Sequence, residues 1–211
     1  MSIWPLLFIM GQAKPDSYFT TMNTLFPIDP DFPEGFSYVR DFISAEEEKD
    51  LLQTISKIEL HPMLFQGYEA KRKVASFGHD WSFEKRILSK GKEIPQAFNA
   101  LIEKVSRQLS IAPDAFAELL VTEYPAGAVI NWHRDAPPFD LIAGLSLLSD
   151  CVFRLRPHEK AKQNRNELIS FPLLRRSLYR MQGPARTDWQ HSIAPVSQTR
   201  YSITLRTLRT A

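Results

Sequence analysis

Two spacings of apolar residues divide the chain. Behind Ser44, the apolar positions Leu51, Leu52, Ile55 and Ile58 recur at helical intervals. Ser44 stands three residues before Glu47, a capping box in which the serine hydroxyl takes the N3 amide and the glutamate returns to the serine amide. A second helix is predicted after Pro95, with Phe98, Leu101, Ile102, Val105 and Leu109 on one face. From about Leu119 short runs rich in Val, Ile, Leu and aromatics alternate with Pro, Gly, Asp and Ser breaks. Strands are expected near 119–124, 128–133, 141–148, 151–156, 167–171, 176–181 and 199–208. Short strands at that spacing predict a mainly β (α+β) fold, a sandwich or barrel rather than βαβ units, with the N-terminal helices as its cover. Pro27, Pro30 and Pro33 mark an irregular lead-in. The expected division is an N-terminal extension over 1–33 and one domain over 34–211.

Composition narrows the classes. With 211 residues, 44% hydrophobic and 24% charged, the chain has enough apolar material for a core, which excludes disorder as its main state. No uninterrupted apolar run approaches the ~20 residues a membrane helix needs. The apolar start, Met1 to Met10, has no Lys or Arg before Lys14 and is interrupted by Pro5, unlike a signal peptide; it reads as an extension, and Met22 is an alternative start. The single cysteine, Cys151, excludes an internal disulfide or a cysteine-based zinc cluster and fits the cytoplasm. Charge is uneven: residues 1–70 hold 4 Lys/Arg against 11 Asp/Glu, and residues 151–211 hold 12 against 3. A basic C-terminal third can attract a polyanion, hold a small anionic cofactor, or simply be solvated.

Several chemistries lack their residues. There is no Gly-rich phosphate loop of either common kind. Gly144-Leu145-Ser146 lacks the glycine that completes a nucleophile elbow, and His133-Arg134-Asp135 has Asp140 where a kinase loop needs Asn. A metal site has candidate residues, though a His-x-Asp pair by itself is commonly chance. His133 and Asp135 are two apart at the end of a predicted strand, so imidazole and carboxylate can share one side. A third ligand must come from the other histidines, of which His191 lies next to the last strand. Two His and one carboxylate with open positions suit non-haem Fe(II). In the last strand, Arg200-Tyr201-Ser202-Ile203-Thr204-Leu205-Arg206, the even positions are polar and the odd ones aromatic or aliphatic. That pattern fits a half-exposed edge strand, or a polar face whose two arginines clamp a dicarboxylate bidentately.

The set His133-x-Asp135, distant His191, then Arg200-x-Ser202-x-Thr204-x-Arg206, with Tyr124 upstream, resembles the AlkB-like 2-oxoglutarate/Fe(II) dioxygenases over about 120–208. The loop HRDAPPFD and the stretch Ala185 to His191 are most similar to the branch acting on tRNA. The resemblance implies a double-stranded β-helix, or jelly roll, with iron held by His133, Asp135 and His191. It implies Arg200 on the distal carboxylate of 2-oxoglutarate, helped by Tyr124, and Arg206 near its iron-chelating end. O₂ is the co-substrate, and succinate, CO₂ and formaldehyde are the products of dealkylation. Thr122 and Ser202 stand where the family often has Asn, and with Thr204 they complete the expected cofactor contacts.

Between the two helices, residues 61–90 form a candidate substrate lid. It mixes Phe65, Tyr68, Phe77, His79, Trp81 and Phe83 with Lys71, Arg72, Lys73, Lys85 and Arg86. Rings such as Phe77 and Trp81 can stack on a base, and Lys71, Arg72, Lys73 and, further on, Arg154 can meet phosphate; core packing and a solvated turn are the plainer alternatives. The expected partner is alkylated, single-stranded DNA or RNA, and the protein a monomer without a membrane. The alternatives are the same iron chemistry on a modified tRNA base, a protein side chain or a small molecule, and a metal-free nucleic-acid-binding module.

Overall fold

The computed structural model describes residues 30–65, 68–82 and 84–209. The extension expected over 1–33 therefore lies, up to residue 29, outside the described residues, as does the alternative start at Met22. The capping box is formed: the Glu47 amide donates to Ser44 Oγ at 3.1 Å, and the Ser44 amide to Glu47 Oε2 at 2.7 Å. It opens α1 (Ala45–Ile55), which buries Leu51 and Ile55. The second helix, α2 (Asn99–Leu109), buries Leu101, Ile102 and Val105, and ends at Ser110 in the left-handed conformation.

Among the described residues, twelve strands make two antiparallel sheets. The large one runs β1 (Phe36–Val39), β10 (Leu178–Met181), β7 (Phe139–Leu147), β12 (Arg200–Leu208), β5 (Phe116–Tyr124), β3 (Tyr68–Ser82), β2 (His61–Phe65), with β4 (Ile87–Lys90) also on β3. The small one runs β6 (Ile130–His133), β11 (Trp189–Ile193), β8 (Cys151–Pro157), β9 (Ile169–Leu173). From β5 onward the chain passes back and forth between the sheets, the topology of a jelly roll.

Strand alternation then sorts the side chains into two cores. One face of the large sheet turns Leu119, Val121, Leu145, Leu147, Ile203 and Leu205 toward the helices. The space between the sheets holds Phe139, Ile142, Phe153, Leu155, Phe171 and Met181. Burying each such side chain contributes about 1.5–3 kcal/mol. Glu48 ties the helical layer to the strands: almost fully buried, it accepts from the Leu148 amide at 2.8 Å and from the Arg175 guanidinium.

The structure decides one alternative and corrects one expectation. The last strand is no edge: β12 lies between β7 and β5, with both its faces largely buried. The described residues of the candidate lid over 61–90 form β2, β3 and β4, which extend the large sheet beyond β5. The strand β11, which carries His191, had no counterpart in the periodicity, because its five residues are too few and too polar to alternate visibly.

Candidate metal and anion site

Beyond the β6 strand end, residues 134–139 return to β7, and Arg186 fixes that turn. Its Nη2 donates to the carbonyls of Asp135 (2.9 Å), Ala136 (2.7 Å) and Phe139 (3.3 Å). The backbone that carries Asp135 is thereby held in place. His133 and His191 are direct cross-strand neighbours on β6 and β11. One ligand atom from each of His133, Asp135 and His191 lies within 4.8 Å of the others. His191 Nε2 is 3.6 Å from Asp135 Oδ2, and that carboxylate oxygen is buried without a hydrogen-bond partner.

The electrostatics suit a cation. His133 Nδ1 lies 2.8 Å from the Asn131 carbonyl, so it donates there and leaves the Nε2 lone pair available. Burial, with the Arg72 and Arg206 charges, lowers the His133 pKa despite Asp135. Burial and His133 bring His191 down to about 3. Both rings are therefore neutral, as ligands must be. Asp135 stays ionised: burial opposes this, but the Arg206 charge, with Arg186 behind it, pulls its pKa below the usual carboxylate range. Two neutral imidazoles, one carboxylate and an orphaned carboxylate oxygen fit a divalent metal such as Fe(II).

The inward face of the large sheet supplies the anion site. Cross-strand pairing sets Arg200 opposite Tyr124, Ser202 opposite Thr122 and Ser146, Thr204 opposite Gly144, and Arg206 opposite Glu118. Arg200 is 1% exposed, yet meets no carboxylate. Its Nε donates to Ser146 Oγ at 3.0 Å, its guanidinium lies 4.8 Å from the Tyr124 ring centroid, and Nη1 has no hydrogen-bond partner. A buried cation in that condition has the charge and the free donor that an anion would match. Arg206 differs: Nη1 donates to Glu118 Oε2 at 2.6 Å and Nη2 to Asp135 Oδ1 at 2.9 Å. The two arginines thus differ: Arg200 meets no carboxylate, whereas Arg206 is paired with Glu118 and the candidate metal ligand and keeps only its buried Nε without a partner.

Glu118, Ser146, Arg186 and Tyr179 escaped the sequence reading. Tyr179, buried on β10, leans across Gly144: a Cβ there would lie 2.2 Å from its Cζ. The phenol's charged surroundings are Asp135, Arg200 and Arg206, and burial raises its pKa. The only sequence signal for it was a glycine inside a strand, which marks close approach.

The expected substrate contacts fare unevenly. Alternation splits the basic run: Arg72 is half-buried, with Nε and Nη2 on Met63 Sδ at 3.0 and 2.8 Å, and its charge reaches His133 and Asp135. Lys71 and Lys73 are exposed, and Lys73 pairs with Glu123 at 3.8 Å. Phe77 faces Leu119 in the helix-side core, so it cannot stack on a base at the metal. Trp81 packs half-buried on the edge of the inter-sheet core, beside Leu88. Arg154 is paired with Ser192, on the face of the small sheet opposite His191, so it lies behind the metal rather than over it. The side chains of Phe65 and Tyr68, and all of Phe83, lie outside the described residues.

Comparison with known proteins agrees with this geometry. The 2OG-Fe(II) oxygenase superfamily matches residues 35–209. The mouse (Mus musculus) tRNA (carboxymethyluridine(34)-5-O)-methyltransferase ALKBH8 is 30% identical over 172 residues, covering 77% of this chain and 24% of that protein. The chain thus spans about a quarter of the length of that relative. Uncharacterized protein L905 of Acanthamoeba polyphaga mimivirus is 25% identical over 187 residues, covering 82% and 84%. Among solved structures, OsALKBH1 superposes with a TM-score of 0.68 at 13% identity, over 83% of this chain and 98% of that one. A Pseudomonas putida prolyl-4-hydroxylase gives 0.58 at 16% identity, over 83% and 93%.

Proposed function

The chain belongs to the 2OG-Fe(II) oxygenase superfamily and is AlkB-like; from that premise we propose that it oxidatively removes alkyl groups from nucleobases in DNA or RNA. It is a dioxygenase that uses Fe(II), 2-oxoglutarate and O₂. Bound iron lets O₂ oxidise the keto acid to succinate and CO₂ and deliver one oxygen atom to a substrate C–H bond. In this reading His133, Asp135 and His191 hold the metal. Arg200 holds the far carboxylate of 2-oxoglutarate through its guanidinium, whose buried Nη1 lacks a protein partner. Tyr124, Thr122, Ser202 and Thr204 line its course along the sheet. Arg206 keeps Asp135 ionised and oriented, and Arg186 keeps the turn beneath it from shifting.

The observation that carries the nucleobase reading is Arg72. It is a half-buried cation whose charge is felt by His133 and Asp135 and whose hydrogen-bonding partner among the described residues is a thioether, so it is suited to the carbonyl and ring-nitrogen acceptors of a base. The likeness to a protein named for tRNA supports the same class. Hydroxylation of a carbon attached to nitrogen gives a hemiaminal, which collapses to formaldehyde and the free base. A second reading, the same chemistry on a modified tRNA base, is favoured by that relative's name; oxidation of a carbon-linked substituent would leave a stable alcohol. The loss of Phe77 as a stacking ring weighs against a lesion sandwiched between two aromatics. The proposal takes the chain to act as a cytoplasmic monomer.

The test is succinate formation with Fe(II), 2-oxoglutarate and O₂, with a methylated single-stranded oligonucleotide or its unmethylated twin. Stimulation by the methylated strand alone, with formaldehyde, is expected. Stimulation by unfractionated tRNA without formaldehyde would move the chemistry to the second reading. Basal turnover unaffected by any nucleic acid would overturn both.

A further inference from the structure

Among the described residues, the charged side chains on the outer face of β8 and β11 are of one sign, over a buried Ser192. Because Leu155 pairs with His191 and both point inward, the alternate residues Arg154 and Arg156 point outward, as do Ser192 and Gln190 opposite them. The other outward positions of β8 and β9, Val152, Ser170 and Pro172, are exposed and uncharged. No carboxylate lies among these positions. Both guanidiniums are stacked on one indole: Arg154 lies 5.1 Å and Arg156 4.4 Å from the Trp132 ring. Both are also aimed by their Nε hydrogens, Arg154 to Ser192 Oγ at 3.0 Å and Arg156 to Gln190 Oε1 at 2.8 Å. Neither has an acidic partner among the described residues, so the Nη edges are left for an acceptor from outside.

Position makes this more than a charged surface. Trp132 immediately precedes His133 on β6, the edge strand of the small sheet. Alternation sends the histidine in toward the metal and the tryptophan out beneath the arginines. A chain of phosphates passing that edge can therefore meet the rear cations while one of its bases is at the metal. Guanidiniums held flat on a ring lose less freedom on binding than free side chains, and each matches a phosphate bidentately.

Resting on the nucleobase reading above, we propose that Trp132, Arg154 and Arg156 form a docking surface for the phosphate backbone of the substrate nucleic acid, outside and behind the oxidation site. It positions the strand without reading its sequence. The ligand class is a polynucleotide long enough to round the β6 edge. A mononucleoside would gain nothing from it.

The experiment is fluorescence anisotropy of a labelled single-stranded RNA against salt, using full-length wild type, Arg154→Gln/Arg156→Gln, and Arg107→Gln as a control. Arg107 lies on α2, away from both sheets' shared site, and pairs only loosely with Glu103 at 3.9 Å. The double variant is expected to lose about tenfold in affinity and to flatten the log–log salt slope by about 1.4, or ~0.7 per lost phosphate contact on a single strand. The control is expected to change neither. The melting temperature, measured in parallel, checks folding; if the double variant melts early, each single variant should flatten the slope by about half as much. Wild-type binding matched by the double variant, with the same slope, would remove the docking surface and leave the nucleobase reading standing. No detectable wild-type binding to RNA or DNA would remove both.

Discussion

Replacing Arg200 by methionine separates a cofactor receptor from a structural strut. The side chain is 1% exposed, has no carboxylate partner, and leaves Nη1 unsatisfied. In the cofactor-free protein, removing it relieves a buried unpaired donor, a cost of about 1–3 kcal/mol, and loses the bond to Ser146, about 0.5–1.5 kcal/mol. Methionine roughly preserves the volume. The free protein should therefore change in stability by no more than about 2 kcal/mol, and can gain. A buried arginine that was half of an ion pair would instead cost about 3–5 kcal/mol. Toward 2-oxoglutarate the effect is opposite: losing one partner of a buried charge pair costs about 2–5 kcal/mol, a ~30-fold or greater rise in Kd. Ligand at 100 times the wild-type Kd stabilises wild type by about 2.7 kcal/mol, and this should fall to about 0.9 kcal/mol or less in the variant. Urea unfolding with and without 2-oxoglutarate and Fe(II), under argon, measures both halves. A variant that loses more than about 3 kcal/mol without ligand yet keeps its cofactor-induced stabilisation would refute the assignment.

Gly144→Ala should destabilise by about 1–3 kcal/mol, since the new methyl meets a Tyr179 ring packed between Phe36 and Phe153; adding Tyr179→Leu should recover much of the loss, and additive losses would deny the contact. The metal-free protein in chelator should lose stability on acidification from about pH 6.5 toward 3. The unfolded chain protonates His191 near 6.5 whereas the folded chain resists to about 3, so the unfolded state binds more protons in that window. A denaturation midpoint flat between pH 7 and 5 would contradict this. Glu48→Gln should cost about 1–3 kcal/mol near neutrality. Burial opposes ionisation of Glu48, but Arg175, the Leu148 amide and Arg176 overcome it and lower its pKa. Its stabilising share is thus present above about pH 4.5 and lost as pH falls through the lowered value, so wild type and variant should converge in acid.

What the sequence made legible was whatever one strand carries by itself. Alternation in Arg200 to Arg206 and the spacing of His133 and Asp135 each lie within a few residues, and both led to the site. The illegible part depends on which strands lie side by side. Glu118 consumes one arm of Arg206 only because β5 pairs with β12 in one register. Gly144 admits Tyr179 only because β7 pairs with β10. The same pairing sent Phe77 to the helices, with Arg72 turned inward from the middle of a run that read as one basic patch. Arg154 read as a phosphate contact beside the metal, but the Leu155–His191 pairing puts it on the far side of the sheet, where a strand reaches it only past the β6 edge.

Nucleoside mass spectrometry of a methylated RNA strand after incubation with wild type and with Asp135→Ala tests the central reading most directly. Wild type should remove the methyl group only when 2-oxoglutarate is present, with formaldehyde and succinate released one for one, and the variant should leave the strand untouched. Demethylation that survives Asp135→Ala, or a wild type that makes succinate at the same rate on unmethylated RNA and leaves methylated RNA unchanged, would contradict it.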